Sequence, residues 1–119
     1  MNHRSSAAEP SRAMRSLDPT VLDEIVRRVV DVAHPDRIIL FGSAARGEMG
    51  PDSDVDILVV KAHVEHRRRL AQAIHRAMAG VEAAVDVIVA TPRDLERYRH
   101  KVGSVIGPAL REGREVYAA

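Results

Sequence analysis

Cysteine and tryptophan are absent from the 119 residues, and only two Tyr and one Phe are aromatic. Without cysteine there is no disulfide, no thiolate zinc site and no cysteine nucleophile, and a reducing cytoplasm is the compartment expected. So few aromatics exclude a base-stacking platform for single-stranded nucleic acid. No apolar run approaches the roughly 20 residues that span a bilayer. No apolar stretch of a signal peptide follows the basic residues near Met1. The net charge of +1 makes the molecule as a whole no electrostatic trap for polyanions. What remains is 45% hydrophobic and 29% charged, enough apolar content to bury a core and exclude full disorder. A chain of this length suits one domain, expected over 17–119. Residues 1–16 (MNHRSSAAEPSRAMRS) have no apolar periodicity and read as a flexible tail.

The order of elements follows from periodicity and punctuation. Asp18-Pro19 opens a helix, with Asp18 as cap and proline at the first helical position. Leu22, Ile25, Val26, Val29 and Ala33 form its apolar stripe. His34-Pro35 closes it, because a residue before proline avoids the helical region. Arg37 to Phe41 (RIILF) reads as a buried strand, and Asp54 to Val60 (DVDILVV) as a second. Val64 to Ala79 reads as a helix with Leu70, Ile74, Ala77 and Met78 inward, and Glu65 can pair with Arg69 four residues on. Ala84 to Val89 is a third strand. Thr91-Pro92-Arg93-Asp94 has the form of a capping box. Pro108 would break a helix begun at Ser104, so that helix is expected either to kink or to start near Gly107; Gly113 ends it, and Glu115 to Tyr117 adds an edge strand. These elements predict an α/β domain with a small mixed β-sheet flanked by helices.

The chemistry sits between Phe41 and Val60 (FGSAARGEMGPDSDVDILVV). Gly42 lets a backbone amide approach a phosphate with no Cβ in the way. Ser43 offers a hydroxyl, and a helix starting there would aim free amides at an anion. Asp54 and Asp56, two apart on a strand, present carboxylates on one face. Oxygen ligands of that kind suit Mg²⁺, a hard cation that also keeps phosphate oxygens in its shell. Asp86, inside the apolar run AVDVIV, is a third carboxylate. Three carboxylates on two strands suit two metal ions about 4 Å apart around a displacement at phosphorus. Arg46 is a further candidate for the triphosphate or for a partner, and Lys61 for a phosphate. Asp52 falls in the turn. A P-loop is excluded because Glu48-Met49 stands where Lys-Ser/Thr is required. An EF-hand fails too, with Ile57 in place of its glycine and His63 in place of its last glutamate. His63 and His66 with Arg67, Arg68 and Arg69 form a basic run that lacks the further ligands a metal pair needs, and it reads as a solvated helix face or a contact for RNA or an acidic partner.

Gly42-Ser43, ten residues, Asp54-Val55-Asp56 and the later strand Asp86 resemble the signature of the DNA polymerase beta-like nucleotidyltransferase superfamily. The short form GSAARGEMGPDSDVDILVV is similar to its minimal nucleotidyltransferase branch, whose members are antitoxins paired with HEPN-type toxins. The resemblance spans Pro19 to Tyr117. It implies a polymerase-beta-like minimal nucleotidyltransferase fold and phosphate contacts from Gly42 and Ser43. It also implies Mg²⁺ at Asp54, Asp56 and Asp86, with Asp86 as general base. The implied reaction moves AMP from ATP onto a hydroxyl, a tyrosine in the toxin partner, within a hetero-oligomer. Two other readings stand beside it: an antitoxin acting by contact alone, and an RNA-directed nucleotidyltransferase. The small size leaves the acceptor surface to a partner protein.

Overall fold

The computed structural model describes residues 16–50 and 52–119, so the expected tail lies outside the described residues except for Ser16. The first helix, α1 (Pro19–Ala33), starts and stops where its punctuation says. The Asp18 carboxylate accepts from the Thr20 amide at 2.9 Å. His34 leaves the helix in the left-handed conformation. Ile25, Val29 and Ala33 of the expected stripe are buried, with Leu22 and Val26 packed at its margin.

Strand β1 (Arg37–Phe41) runs into a five-residue helix, α2 (Gly42–Arg46). Strand β2 (Val55–Val60) follows, one residue shorter than its apolar pattern suggested, so Asp54 stands just ahead of it. Helix α3 (Arg67–Ala77) begins three residues later than expected. His66 takes an extended conformation there and caps nothing with its side chain, so Glu65 lies off the helix and is no longer one turn from Arg69. Strand β3 (Val85–Ala90), helix α4 (Pro92–Tyr98), helix α5 (Ile106–Glu112) and strand β4 (Arg114–Ala118) complete the chain. Pro108 is accommodated in the first turn of α5, where a missing amide costs no helical hydrogen bond.

The four strands form one mixed sheet in the order β3-β2-β1-β4. β1 is antiparallel to both neighbours, while β2 and β3 are parallel, joined by α3 as crossover. Side chains alternate across the sheet. Ile38, Leu40, Val55, Ile57, Val59, Val85 and Val89 face one way and pack with Ile25 and Val29 of α1 and Ile74 of α3. Ile39, Leu58, Val60 and Ala90 face the other way and pack with Leu95 of α4 and Ile106 and Ala109 of α5.

The capping box forms as read. Thr91 Oγ1 accepts from the Asp94 amide at 3.1 Å, and Asp94 Oδ2 accepts from the Thr91 amide at 2.9 Å. The same carboxylate meets Arg67 at 3.0 Å and so ties the start of α3 to α4. Thr91→Ala is expected to cost about 1 kcal/mol and to lower Tm by about 4 °C in a thermal melt. A change of less than a degree would show that the cap contributes nothing here.

Candidate functional site

Gly42 is the hinge on which the site turns. Its φ of +70° redirects the chain from the end of β1 into α2. A Cβ at this position would collide with Oδ2 of Asp56. Asp56 and Phe41 are register partners across β1 and β2, which explains the approach. On its other side Asp56 is in register with Asp86 of β3. Both carboxylates lie at the start of parallel strands, on the sheet face that carries Leu58, Ile88 and Ala90. Asp56 is half-buried; Asp54 and Asp86 are exposed.

Burial, and then the charges of Asp86 and Asp54, raise the Asp56 carboxyl above its ordinary value, while Arg46 pulls it back by a lesser amount. A carboxyl that keeps its proton longer in the folded state makes that state the better proton binder. Its benefit is whole below the unfolded value and is lost as pH rises through the folded one. At neutral pH and without a cation the acid cluster therefore weakens the fold. In chelator, the Tm of Asp56→Asn relative to the unaltered chain is expected to shift in the variant's favour from about pH 4 to about pH 7. A shift the other way in paired melts would contradict it.

Among the described residues no three His, Cys, Asp or Glu side chains close into a ready-made metal cage. The donor set still fits a hard divalent cation. Asp56 and Asp86 face each other in register, Asp54 is close enough for Asp56 to feel its charge, and a cation would relieve that repulsion.

The other expected site residues are distributed as follows. Ser43 lies in the first turn of α2, whose N-cap, Phe41, satisfies no amide with its side chain. Arg46, in the last turn of α2, is engaged by Glu48 at 2.8 Å and Glu112 at 3.6 Å. Lys61 is not at the site: it follows the far end of β2, where its ammonium donates to the His34 carbonyl at 3.2 Å. The sequence reading missed His75 and Arg76. They belong to the last turn of α3 and line an open cleft of about 710 Å³ together with Asp54 and Asp86. No local signal marks them, because only the packing of α3 beside β3 brings them there.

A mixed sheet with facing carboxylates on adjacent strands, beside a glycine turn at the end of a third, has the architecture of a nucleotidyl-transferring domain. The chain belongs to the nucleotidyltransferase domain family, whose model matches residues 20–113. No curated protein is similar enough in sequence to match. Among solved structures, a chain of a toxin–antitoxin complex with AMP-PNP is similar at a TM-score of 0.57 and 22% identity, over 82% of this chain and 73% of that one. A candidate nucleotidyltransferase from Sulfolobus solfataricus is similar at 0.57 and 19%, over 99% and 90%. A chain from the complex of tri-AMPylated Shewanella oneidensis HEPN toxin with MNT antitoxin is similar at 0.51 and 19%, over 84% and 71%. At these identities the likeness establishes the fold, which is that of the polymerase-beta-like nucleotidyltransferases.

Proposed function

We propose that the chain is a Mg²⁺-dependent protein adenylyltransferase. It transfers AMP from ATP to a hydroxyl, a tyrosine, of a HEPN-type toxin and thereby acts as the antitoxin of a pair. The observation that carries this reading is the Asp56–Asp86 register, closed over by the bare backbone of Gly42. Family membership supports the reaction class, and the fold shared with a chain of an AMPylated toxin complex supports the acceptor. Asp54, Asp56 and Asp86 would hold the metal, which when bound neutralises charge on the phosphates. Gly42 and Ser43 offer an amide and a hydroxyl to the triphosphate. The acceptor oxygen forms a bond to the α-phosphorus, its proton passes to the Asp86 carboxylate, and the bond to the bridging oxygen breaks to release pyrophosphate. Arg46 is proposed as a secondary contact, since binding phosphate requires it to leave Glu48 and Glu112.

Incubation with α-labelled ATP, Mg²⁺, a HEPN-type toxin and RNA tests this directly. Label is expected on the toxin and on nothing else, and chelator abolishes it. The modified toxin should stay inactive after this chain is removed, because a covalent bond outlasts dissociation. Label on RNA would make the chain an RNA-directed transferase. Full recovery of an unlabelled toxin on separation would make it an antitoxin by contact alone.

A further inference from the structure

The connection from α4 to α5 has a composition unlike the rest of the chain. From Arg97 to Arg111 there is no acidic residue, but there are four Arg or Lys side chains and His100. The same stretch holds the two most exposed large apolar side chains among the described residues, Val102 at 98% and Val105 at 49%. Neither is exposed because its backbone is slack. The Lys101 amide donates to Tyr98 at 3.1 Å, the Ser104 amide to Lys101 at 3.2 Å, and Ser104 Oγ accepts from Ile106 at 3.1 Å. Gly107, which has no Cβ, lets the Arg99 carbonyl pack directly against α5. The chain thus holds two valines out into water, on a basic loop, with no use for them in its own core.

Beneath this loop is a groove of about 520 Å³, with Ile88, Tyr98 and Ile106 in its lining and Lys101, Val102 and Val105 along the loop. Its position relates it to the carboxylates. Ile88 is two residues beyond Asp86 on the same face of β3, about 6.6 Å along the strand. Among the described residues β3 is the outermost strand on its side of the sheet. On the other side of Asp86 come Asp56 and then Gly42. The groove therefore lies along β3 from Asp86, while Asp56 and the Gly42 turn lie across the sheet from it.

We infer that the groove under the α4–α5 loop docks the acceptor protein, through a segment that carries acidic residues around an apolar side chain. This rests on the transferase reading above and extends it to the acceptor. The basic loop selects carboxylates, Val102 and Val105 cover the apolar plug, and the segment continues along β3 to bring its hydroxyl to Asp86. A protein fits this surface better than RNA. The Tyr98 ring is already faced by Arg97 and Lys101, with cationic atoms 5.4 and 5.2 Å from its centroid, so it is no free stacking platform. The exposed valines would gain nothing from a phosphate backbone.

The test compares the full chain with its Lys101→Glu/Val102→Asp variant, both changes on exposed side chains, in the transfer assay with a HEPN-type toxin. A single-stranded oligoribonucleotide serves as competitor. Expected are a rise of about tenfold or more in KM for the toxin, kcat and KM for ATP unchanged, an unchanged melt, and no competition by the oligoribonucleotide. An unchanged KM for the toxin overturns the docking site while the transferase reading stands. Competition by the oligoribonucleotide assigns the groove to nucleic acid and overturns it as well. If the unaltered chain labels no toxin, the transferase reading fails. The groove is then decided by titrating toxin binding, where equal affinity of the two chains overturns it and loss in the variant supports it.

Discussion

Asp56→Asn is expected to lower the rate of nucleotidyl transfer by about a thousand-fold while the protein stays folded. Asparagine keeps the size of the side chain, so it fits beneath Gly42 as the carboxylate does, but it removes the charge. Asp56 is the one candidate ligand that is half-buried, and it lies between Phe41 on β1 and Asp86 on β3 in the sheet register. A charged ligand at such a place stabilises a phosphoryl-transfer transition state by several kcal/mol, and each 1.36 kcal/mol is about tenfold in rate. The measurement is single-turnover labelling with saturating Mg²⁺ and ATP, beside a melt of the same preparation. Retention of more than about a tenth of the rate would remove Asp56 from the centre of the reaction, since a loss that small is within 1.4 kcal/mol. Arg46→Gln is the contrast. Its guanidinium is already held by Glu48 and Glu112, so its loss is expected to raise KM for ATP more than it lowers kcat.

Where the sequence was read to the residue, two signals agreed. β1 is bounded by Pro35 upstream and Gly42 downstream, and four of its five residues are apolar. α1 and α4 have side-chain caps and a proline in the first turn, and both begin where those residues place them. α3 has neither cap nor proline at its start. The apolar Val64 extended the helical pattern backward into residues that do not form it. Asp54 missed the strand for a reason that lies in another element. β1 turns away at Gly42, so Phe41 opposite Asp56 is the last pair that β1 offers, and Asp54 has nothing to pair with on that side. At the site, Gly42, Asp56 and Asp86 were legible as residue types in their elements. That β3 lies beside β2 follows from the crossover helix between them. The register that sets Asp56 against Asp86, and the approach of His75 and Arg76 to the cleft, are tertiary facts with no local trace.

Gly42 and Gly47 offer a controlled comparison of what a glycine contributes. Their backbones are nearly the same, at φ +70° and +71°. Alanine at either pays the left-handed penalty of about 1–2 kcal/mol, so both variants are expected to melt lower by similar amounts. Their surroundings differ. At Gly47 an added Cβ would meet, among the described residues, only Ser16 Oγ, at 3.4 Å, an ordinary contact. At Gly42 it would collide with the Asp56 carboxylate, which must swing aside or force α2 away from β2. A misplacement of about 1 Å among reacting groups costs up to about 100-fold in rate. Gly42→Ala is therefore expected to lose between about 10- and 100-fold in transfer, and Gly47→Ala less than about twofold, at a temperature where both are folded. Removing the charge, while the side chain keeps its size, should separate the two contributions. In the Asp56→Asn background the alanine at position 42 still displaces the side chain but is expected to cost little further rate, because the charge whose placement mattered is already gone. If Gly42→Ala and Gly47→Ala lowered the rate equally, backbone strain would account for both, and the close approach of Gly42 to Asp56 would have no part in the chemistry.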